Sequence, residues 1–267
     1  MNRGTADGLV FYQFDHLARC AGVRHAIFTR LGGRSRGACA GLNVGSLVGD
    51  DPAAVQANHE RIYACLGLAP AAVVTARQVH GAQVAVVGSS DAGTVVPSTD
   101  AVVSNEMGIT LLLRFADCAP VVLYDPQRRA IGLAHAGWRG LVAGVVANTV
   151  AALQSAFGCR PADVLAGVGP AIGPCCYQVG PDVVAEVERV FDHPGDLFTG
   201  QPDGTMHFDL PAAVRRHLQL CGVTRIEDSG LCTSCHTDEF FSHRAEHGRT
   251  GRFAAVVTLQ PERRTVQ

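Results

Sequence analysis

Apolar positions along the chain change their period several times, and those changes mark its elements. HAIFTR, from about residue 24, begins as a short strand, and the stretch to residue 50 then becomes a Gly-rich loop carrying Arg30, Arg34 and Arg36. A loop so poor in bulky side chains can wrap a ligand. Asp51 and Pro52 suit a helix cap and first helical position, followed by Val55, Ile62 and Leu66 on one face and Gly67 at the end. From there the period shortens. QVAVVG at 83–88, AVVS at 101–104, ITLLLRF at 109–115, PVVLYD at 120–125 and AIGLAH at 130–135 are short β-branched or apolar runs, as buried strands are. After Gly137 the helical period returns in one long segment. Leu141, Val142, Val145, Val146, Thr149, Val150 and Leu153 fall on one face, and Gly158 stops it.

DVLAGVG at 163–169 and AAVVTL at 254–259 read as further strands, and PDVVAEVERVF and LPAAVRRHLQL as amphipathic helices. Strands and helices mix without strict alternation. This predicts a mixed α/β (α+β) fold, a single-domain layered sandwich of mixed sheet and helices. No G-x-G-x-x-G or G-x-x-x-x-G-K-S/T opens a helix after a strand, which excludes the common nucleotide-binding loops. Breaks in the pattern are short and evenly spread. The expected organisation is an N-terminal extension at 1–23, one catalytic domain at 24–259 and a C-terminal tail at 260–267.

Composition narrows the function classes. The 267 residues, 47% hydrophobic and 17% charged, suit a globular protein with a sizeable core. A net charge of -2 with no long basic run lacks the electrostatic footprint of a nucleic-acid binder. No run of about 18 apolar residues predicts a membrane span, and the N-terminal MNRGTADGLVFYQFDHL lacks the apolar segment of a signal peptide. The expectation is a cytoplasmic protein. There the ten cysteines stay reduced, and Cys20, Cys39, Cys65, Cys159 and Cys221 read as small buried hydrophobes.

The remaining cysteines stand in less ordinary company. His80 in RQVHG, Cys118 in ADCAP and His135 in AHAGWRG are polar residues at expected strand ends. Zinc accepts imidazole nitrogen and thiolate sulfur, and a three-ligand set leaves a fourth position open, as catalytic sites do. Spacing alone leaves a metal site and hydrogen-bonded packing both open, because only a fold can bring the three together. Arg139 follows at the expected start of the long helix, where free N–H groups and a guanidinium suit phosphate, or where an Arg is simply exposed. GPAIGPCCYQVG at 169–180 reads as a tight loop in which Cys175 and Cys176 pack or wall a pocket. CTSCH at 232–236 fits a haem-attachment signature or half of a zinc knuckle. The first calls for export, and the second needs another ligand pair nearby. His243, Arg244, His247, Arg249 and Arg252 then cluster beside Phe240 and Phe241, as a solvated loop or as one wall of a site for an aromatic, anionic substrate.

RQVHG, ADCAPVVLYD, AHAGWRG, GPAIGPCCYQVG and FFSHRAEHGRTGRFAA, in that order, resemble the YfiH family, formerly classed as multicopper polyphenol oxidases or laccase-domain proteins. HAIFTRLGGRSRG and LNVGSLVGDDPAAVQAN match as well, so the resemblance spans roughly 24–259. It implies a compact α/β fold shared with proteins classed as cysteine hydrolases, and a zinc bound by His80, Cys118 and His135. It also implies activity on purine nucleosides: phosphorolysis of adenosine, inosine and methylthioadenosine, and deamination of adenosine. A role in correcting peptidoglycan precursors has been attached to the family too. The chain departs from the family pattern at His59, usually Arg; at Gln178, commonly Glu; and at His243, usually Tyr.

On this reading the metal polarises a water or a substrate group. Asp117 is the nearest carboxyl by sequence, either to donate a proton to leaving ammonia or only to orient a ligand, and Arg139, Arg244 and Arg252 are the expected phosphate contacts. Purine nucleoside and phosphate are the expected small-molecule partners. Three rivals stand beside it. A copper oxidase needs further His ligands, usually as H-x-H, and none of the 11 His forms such a pair. A metal-free hydrolase would use Cys118 as nucleophile and His135 or His80 as base. A purely structural zinc would clamp strands without chemistry.

Overall fold

Two sheets facing each other form the centre of residues 1–261, the part described by the computed structural model. Of the expected tail, 262–267 lie outside the described residues. The first sheet has seven strands in the order β1 (Asn2–Ala6), β2 (Leu9–Gln13), β3 (Val23–Phe28), β16 (Phe253–Leu259), β8 (Thr110–Phe115), β4 (Val73–Ala76) and β6 (Val95–Val96). The second has six, ordered β15 (Arg225–Asp228), β11 (Leu165–Val168), β9 (Ala119–Asp125), β10 (Ala130–Ala136), β7 (Ala101–Ser104) and β5 (Val84–Val86). A small third sheet joins β12 (Gln178–Val179), β14 (Met206–Phe208) and β13 (Phe198–Gly200).

The pleat sorts side chains into layers, because neighbours along a strand point to opposite faces. Leu111, Leu113 and Phe115 of β8 meet Val122 of β9 and Ile131 and Leu133 of β10 between the sheets. Leu112 of β8, with Ala254 and Val256 of β16, faces outward onto Ile62 and Leu66 of helix α2 (Pro52–Leu66), which follows the short α1 (Asp15–Ala18). On the far side of the second sheet, Val121 and Leu123 pack beneath α3 (Trp138–Val142), α4 (Val145–Phe157), α5 (Pro181–Val190) and α6 (Leu210–Leu220). The molecule is thus a mixed α/β sandwich in which helices cover both outer faces of the sheet pair. Both faces of most central strands are buried, which is why they read as unbroken apolar runs.

Asp51 caps α2 by accepting the Ala53 N–H at 3.0 Å, and Gly67 ends it with φ 59°, as the sequence pattern expects. The long helix after Gly137 is corrected. Gly144, at φ 93°, divides it into a five-residue α3 and a separate α4. The N-terminal segment holds structure that the apolar pattern did not predict: β1 and β2 form a hairpin that extends the first sheet through Phe11 opposite Phe28.

One topological feature positions the site. β4, β6 and β8 run parallel in the first sheet, and each hands the chain to a strand of the second, β5, β7 and β9. Those three crossings lie at one end of the sandwich and contain His80, Asp100 and Cys118.

Candidate metal centre

His80, Cys118 and His135 meet at this seam with their ligand atoms all within 4.8 Å of one another. His135 lies near the end of β10 and is buried; Cys118 immediately precedes β9 and is half-buried; His80 is exposed to the cavity beyond. The pairing of Ala136 with Ala119 sets the thiol beside the chain leaving β10. There Gly137 is required, since a Cβ on it would stand 2.6 Å from Cys118 Sγ and 3.4 Å from the His80 ring.

Asp100, which sequence reading missed, organises the group. Its fully buried carboxylate accepts backbone N–H groups from Val79 at 3.1 Å, His80 at 2.9 Å and Gly81 at 2.8 Å. It also meets His135 Nδ1 at 3.0 Å, while its backbone carbonyl accepts the His135 N–H. His80 adopts φ 61°, a left-handed conformation costly for a residue with a side chain, and the three N–H bonds hold it there. With Nδ1 committed to Asp100, His135 presents Nε2 to the other two ligands, the carboxylate–histidine arrangement typical of metal centres. The only sequence signal for Asp100 is a carboxylate placed just before an apolar strand.

Burial opposes a charged thiol at Cys118, but the His135 and His80 imidazoles outweigh it and bring the thiol down to about 6. Burial likewise opposes charge on His135, and the Cys118 sulfur with Asp100 raises it to about 9. Each charge therefore supports the other: below about 6 the sulfur regains its proton, and above about 9 the imidazolium loses one. The metal-free protein is expected to show Cys118 alkylation by iodoacetamide rising through pH 6, against about 8.5 for an ordinary thiol. A rise only above pH 8 would contradict this pairing. Two imidazoles and a thiol poised as thiolate are a donor set that zinc accepts at about 2.0–2.3 Å, so these residues fit such an ion.

A cavity of about 870 Å³ opens over the trio. Arg139, Arg244 and Arg252 all line it, as do Arg77 and Arg114, which the sequence did not single out. Because α3 is so short, the anion-binding argument from a long helix end falls away and the Arg139 side chain remains, stacked 4.5 Å from the Trp138 ring. Arg244 lies 5.2 Å over Tyr177 and donates to the Gln178 carbonyl at 2.8 Å. Arg252 is engaged inward with the Thr250 and Gly251 carbonyls. The apolar part of the lining includes Leu47, Val79 and Val95, all exposed side chains.

Asp117 also lines the cavity, yet both its oxygens are occupied. Oδ1 accepts from the Thr233 hydroxyl at 2.7 Å and Oδ2 from the Arg244 N–H at 2.6 Å, while the residue sits at φ 85°. Its carbonyl accepts the Ile172 N–H at 2.9 Å. Asp117 thereby joins the loop at 169–180 and the segment around 232–244 to the chain just before Cys118.

Fold and site together define a layered α/β protein with a His–Cys–His centre at the seam of its two sheets. The chain belongs to the family described as multi-copper polyphenol oxidoreductase laccase, whose family model matches residues 24–260. Among its relatives, the purine nucleoside phosphorylase YlmD of Geobacillus stearothermophilus is 38% identical over 91% of this chain and 92% of its own. The purine nucleoside phosphorylase ORF3 of Streptomyces griseus is 43% identical over 91% of this chain and 97% of its own. The crystal structure of Geobacillus stearothermophilus YlmD superposes with a TM-score of 0.91 at 36% identity, covering 97% of this chain and 98% of that one. Bacillus licheniformis YfiH gives 0.90 at 32% identity, covering 96% and 97%.

Proposed function

We propose that this chain is a zinc-dependent purine nucleoside phosphorylase acting on adenosine, inosine and methylthioadenosine, with hydrolytic deamination of adenosine as a second activity. The observation that carries the reading is the trio set in a cavity whose lining combines guanidinium groups with apolar and aromatic surface. The names of the relatives supply the reaction class.

A zinc ion held by His80, Cys118 and His135 supplies Lewis acidity toward a water or a substrate heteroatom. The protein's own groups bind and orient. Arg139 and Arg244, both exposed in the cavity, hold phosphate through paired N–H donors. Trp138, Tyr177 and the apolar lining residues offer flat and greasy surface to a purine. In phosphorolysis a phosphate oxygen bonds to ribose C1′ as the bond from C1′ to the purine nitrogen breaks. Fixing phosphate against the sugar is the arginines' contribution. Asp117, with both oxygens engaged, acts here as a positioning residue, not as the proton donor to ammonia.

The copper-oxidase rival calls for further His ligands. The second donor cluster among the described residues is made of thiols alone, which favours the zinc reading. Among the described residues no helix is long and apolar enough to cross a membrane. With its thiols unpaired, the chain suits a reducing cytoplasm.

The test is mass-spectrometric product analysis of the zinc-loaded protein offered adenosine with and without phosphate. Adenine and ribose 1-phosphate are expected with phosphate, and inosine without it. Neither product at full zinc occupancy would sink the reading.

A further inference from the structure

Four cysteines that the trio does not use converge on the far side of Asp117. Cys175, Cys176, Cys232 and Cys235 have sulfur atoms all within 4.8 Å of one another. All four are free thiols, and Cys235 Sγ stands 3.4 Å from both Cys175 Sγ and Cys176 Sγ. That shared distance singles out no pair for a disulfide. A tetrahedral ion with Zn–S bonds of about 2.3 Å requires sulfurs about 3.8 Å apart, between the 3.4 Å contacts and the 4.8 Å that bounds the cluster.

The backbone builds the cluster. Ala171 and Cys232 form a β-bridge, with the Ala171 N–H donating to Leu231 and the Thr233 N–H donating to Ala171. On one side Cys176 and Tyr177 turn back onto the Gly173 carbonyl; on the other, Cys235 and His236 turn back onto Cys232. Two tight turns are therefore docked with their thiols facing each other, and the Gly173 N–H donates to Cys232 Sγ at 3.3 Å. The half-knuckle CTSCH thus has its second ligand pair, supplied not by nearby sequence but by Cys175 and Cys176. His236 Nδ1 is turned onto the Cys232 carbonyl at 2.9 Å, away from a ligand role.

We propose that Cys175, Cys176, Cys232 and Cys235 form a second metal site, a tetrathiolate that takes a zinc ion with a structural role. The donor set selects a thiophilic tetrahedral ion, and four protein ligands close the coordination sphere, as structural sites do. Its place in the fold gives the ion a purpose. Ile172 and Tyr177, from one turn's loop, line the main cavity, and Thr233, between two of the cysteines, holds Asp117 Oδ1. A zinc here pins both loops to each other and, through Asp117, braces the wall beside Cys118. The site does not depend on which reaction the trio performs.

The full chain, stripped by chelator under reducing conditions and titrated with zinc, decides the matter. Wild type is expected to take up about two equivalents, and Cys118→Ser and Cys175→Ser/Cys235→Ser about one each, as the two sites hold one ion apiece. Cobalt added to the Cys118→Ser variant is expected to give intense sulfur-to-metal charge-transfer absorption and a tetrahedral ligand-field pattern. If the double variant fails to fold by far-UV circular dichroism, the cobalt spectrum of folded Cys118→Ser carries the test alone. Absence of that spectrum overturns the proposal. So does a Cys175–Cys235 or Cys176–Cys235 disulfide in protein alkylated at once on lysis, or stoichiometric iron in place of zinc.

Discussion

Asp100→Ala is expected to weaken zinc binding at the trio by about 10–100-fold, the range found when the carboxylate behind a metal-bound histidine is removed. The effect should be larger than for most such partners, because Asp100 does more than orient His135. Its carboxylate is the shared acceptor for the N–H groups of Val79, His80 and Gly81, the bonds that flank and hold His80 at φ 61°. Removing it releases one ligand's backbone and the other ligand's ring together. It also leaves buried donors without a partner, at a cost on the order of 3–5 kcal/mol. Isothermal titration with zinc and a thermal melt read the two effects separately. Asp100→Asn keeps the shape and one acceptor oxygen and should fall between. Unchanged affinity and melting temperature in the alanine variant would refute the assignment.

Gly137→Ala is expected to preserve the fold and lose activity, by about 100-fold for a displacement of the reacting groups near 1 Å. The added methyl would stand 2.6 Å from Cys118 Sγ, closer than non-bonded atoms approach, so either the thiol or the strand end must move. Overpacking of this kind costs about 1–3 kcal/mol. Gly195→Ala is the matched control, since a Cβ there meets nothing within 4 Å. Turnover with adenosine and phosphate is the measurement, alongside circular dichroism. Wild-type turnover in a folded Gly137→Ala protein would show that the thiol's position is not critical.

Much of the sandwich is written in local pattern. Strands buried on both faces announce themselves as apolar runs, and α2 is framed by Asp51, Pro52 and Gly67, so both were readable. The trio was visible as polar residues at strand ends. What escaped is what distance in sequence hides. β1 (NRGTA) is short and largely polar and β2 (LVFYQ) is a brief run near the sheet edge, so it is the pairing of β1 with β2, and of β2 with β3, that makes them strands. Gly144 looks like any small residue on a helix until its φ is known. Asp100 carries no motif, because its role is to collect N–H groups from a loop some twenty residues away. The CTSCH half-knuckle looked unfinished because its partners arrive through a bridge between Ala171 and Cys232.

The three crossings at the seam bear on how the protein comes to be active. His80 and Cys118 leave the first sheet, and His135 belongs to the second. All three adjoin strands of the second sheet, β5, β9 and β10, yet the segments bearing His80 and Cys118 arrive from the first, so the trio rests on contacts remote in sequence, the kind that form slowly. On the proposed zinc reading, the ligand set is complete only once these long-range contacts have formed, which ties loading of the ion to the folded state.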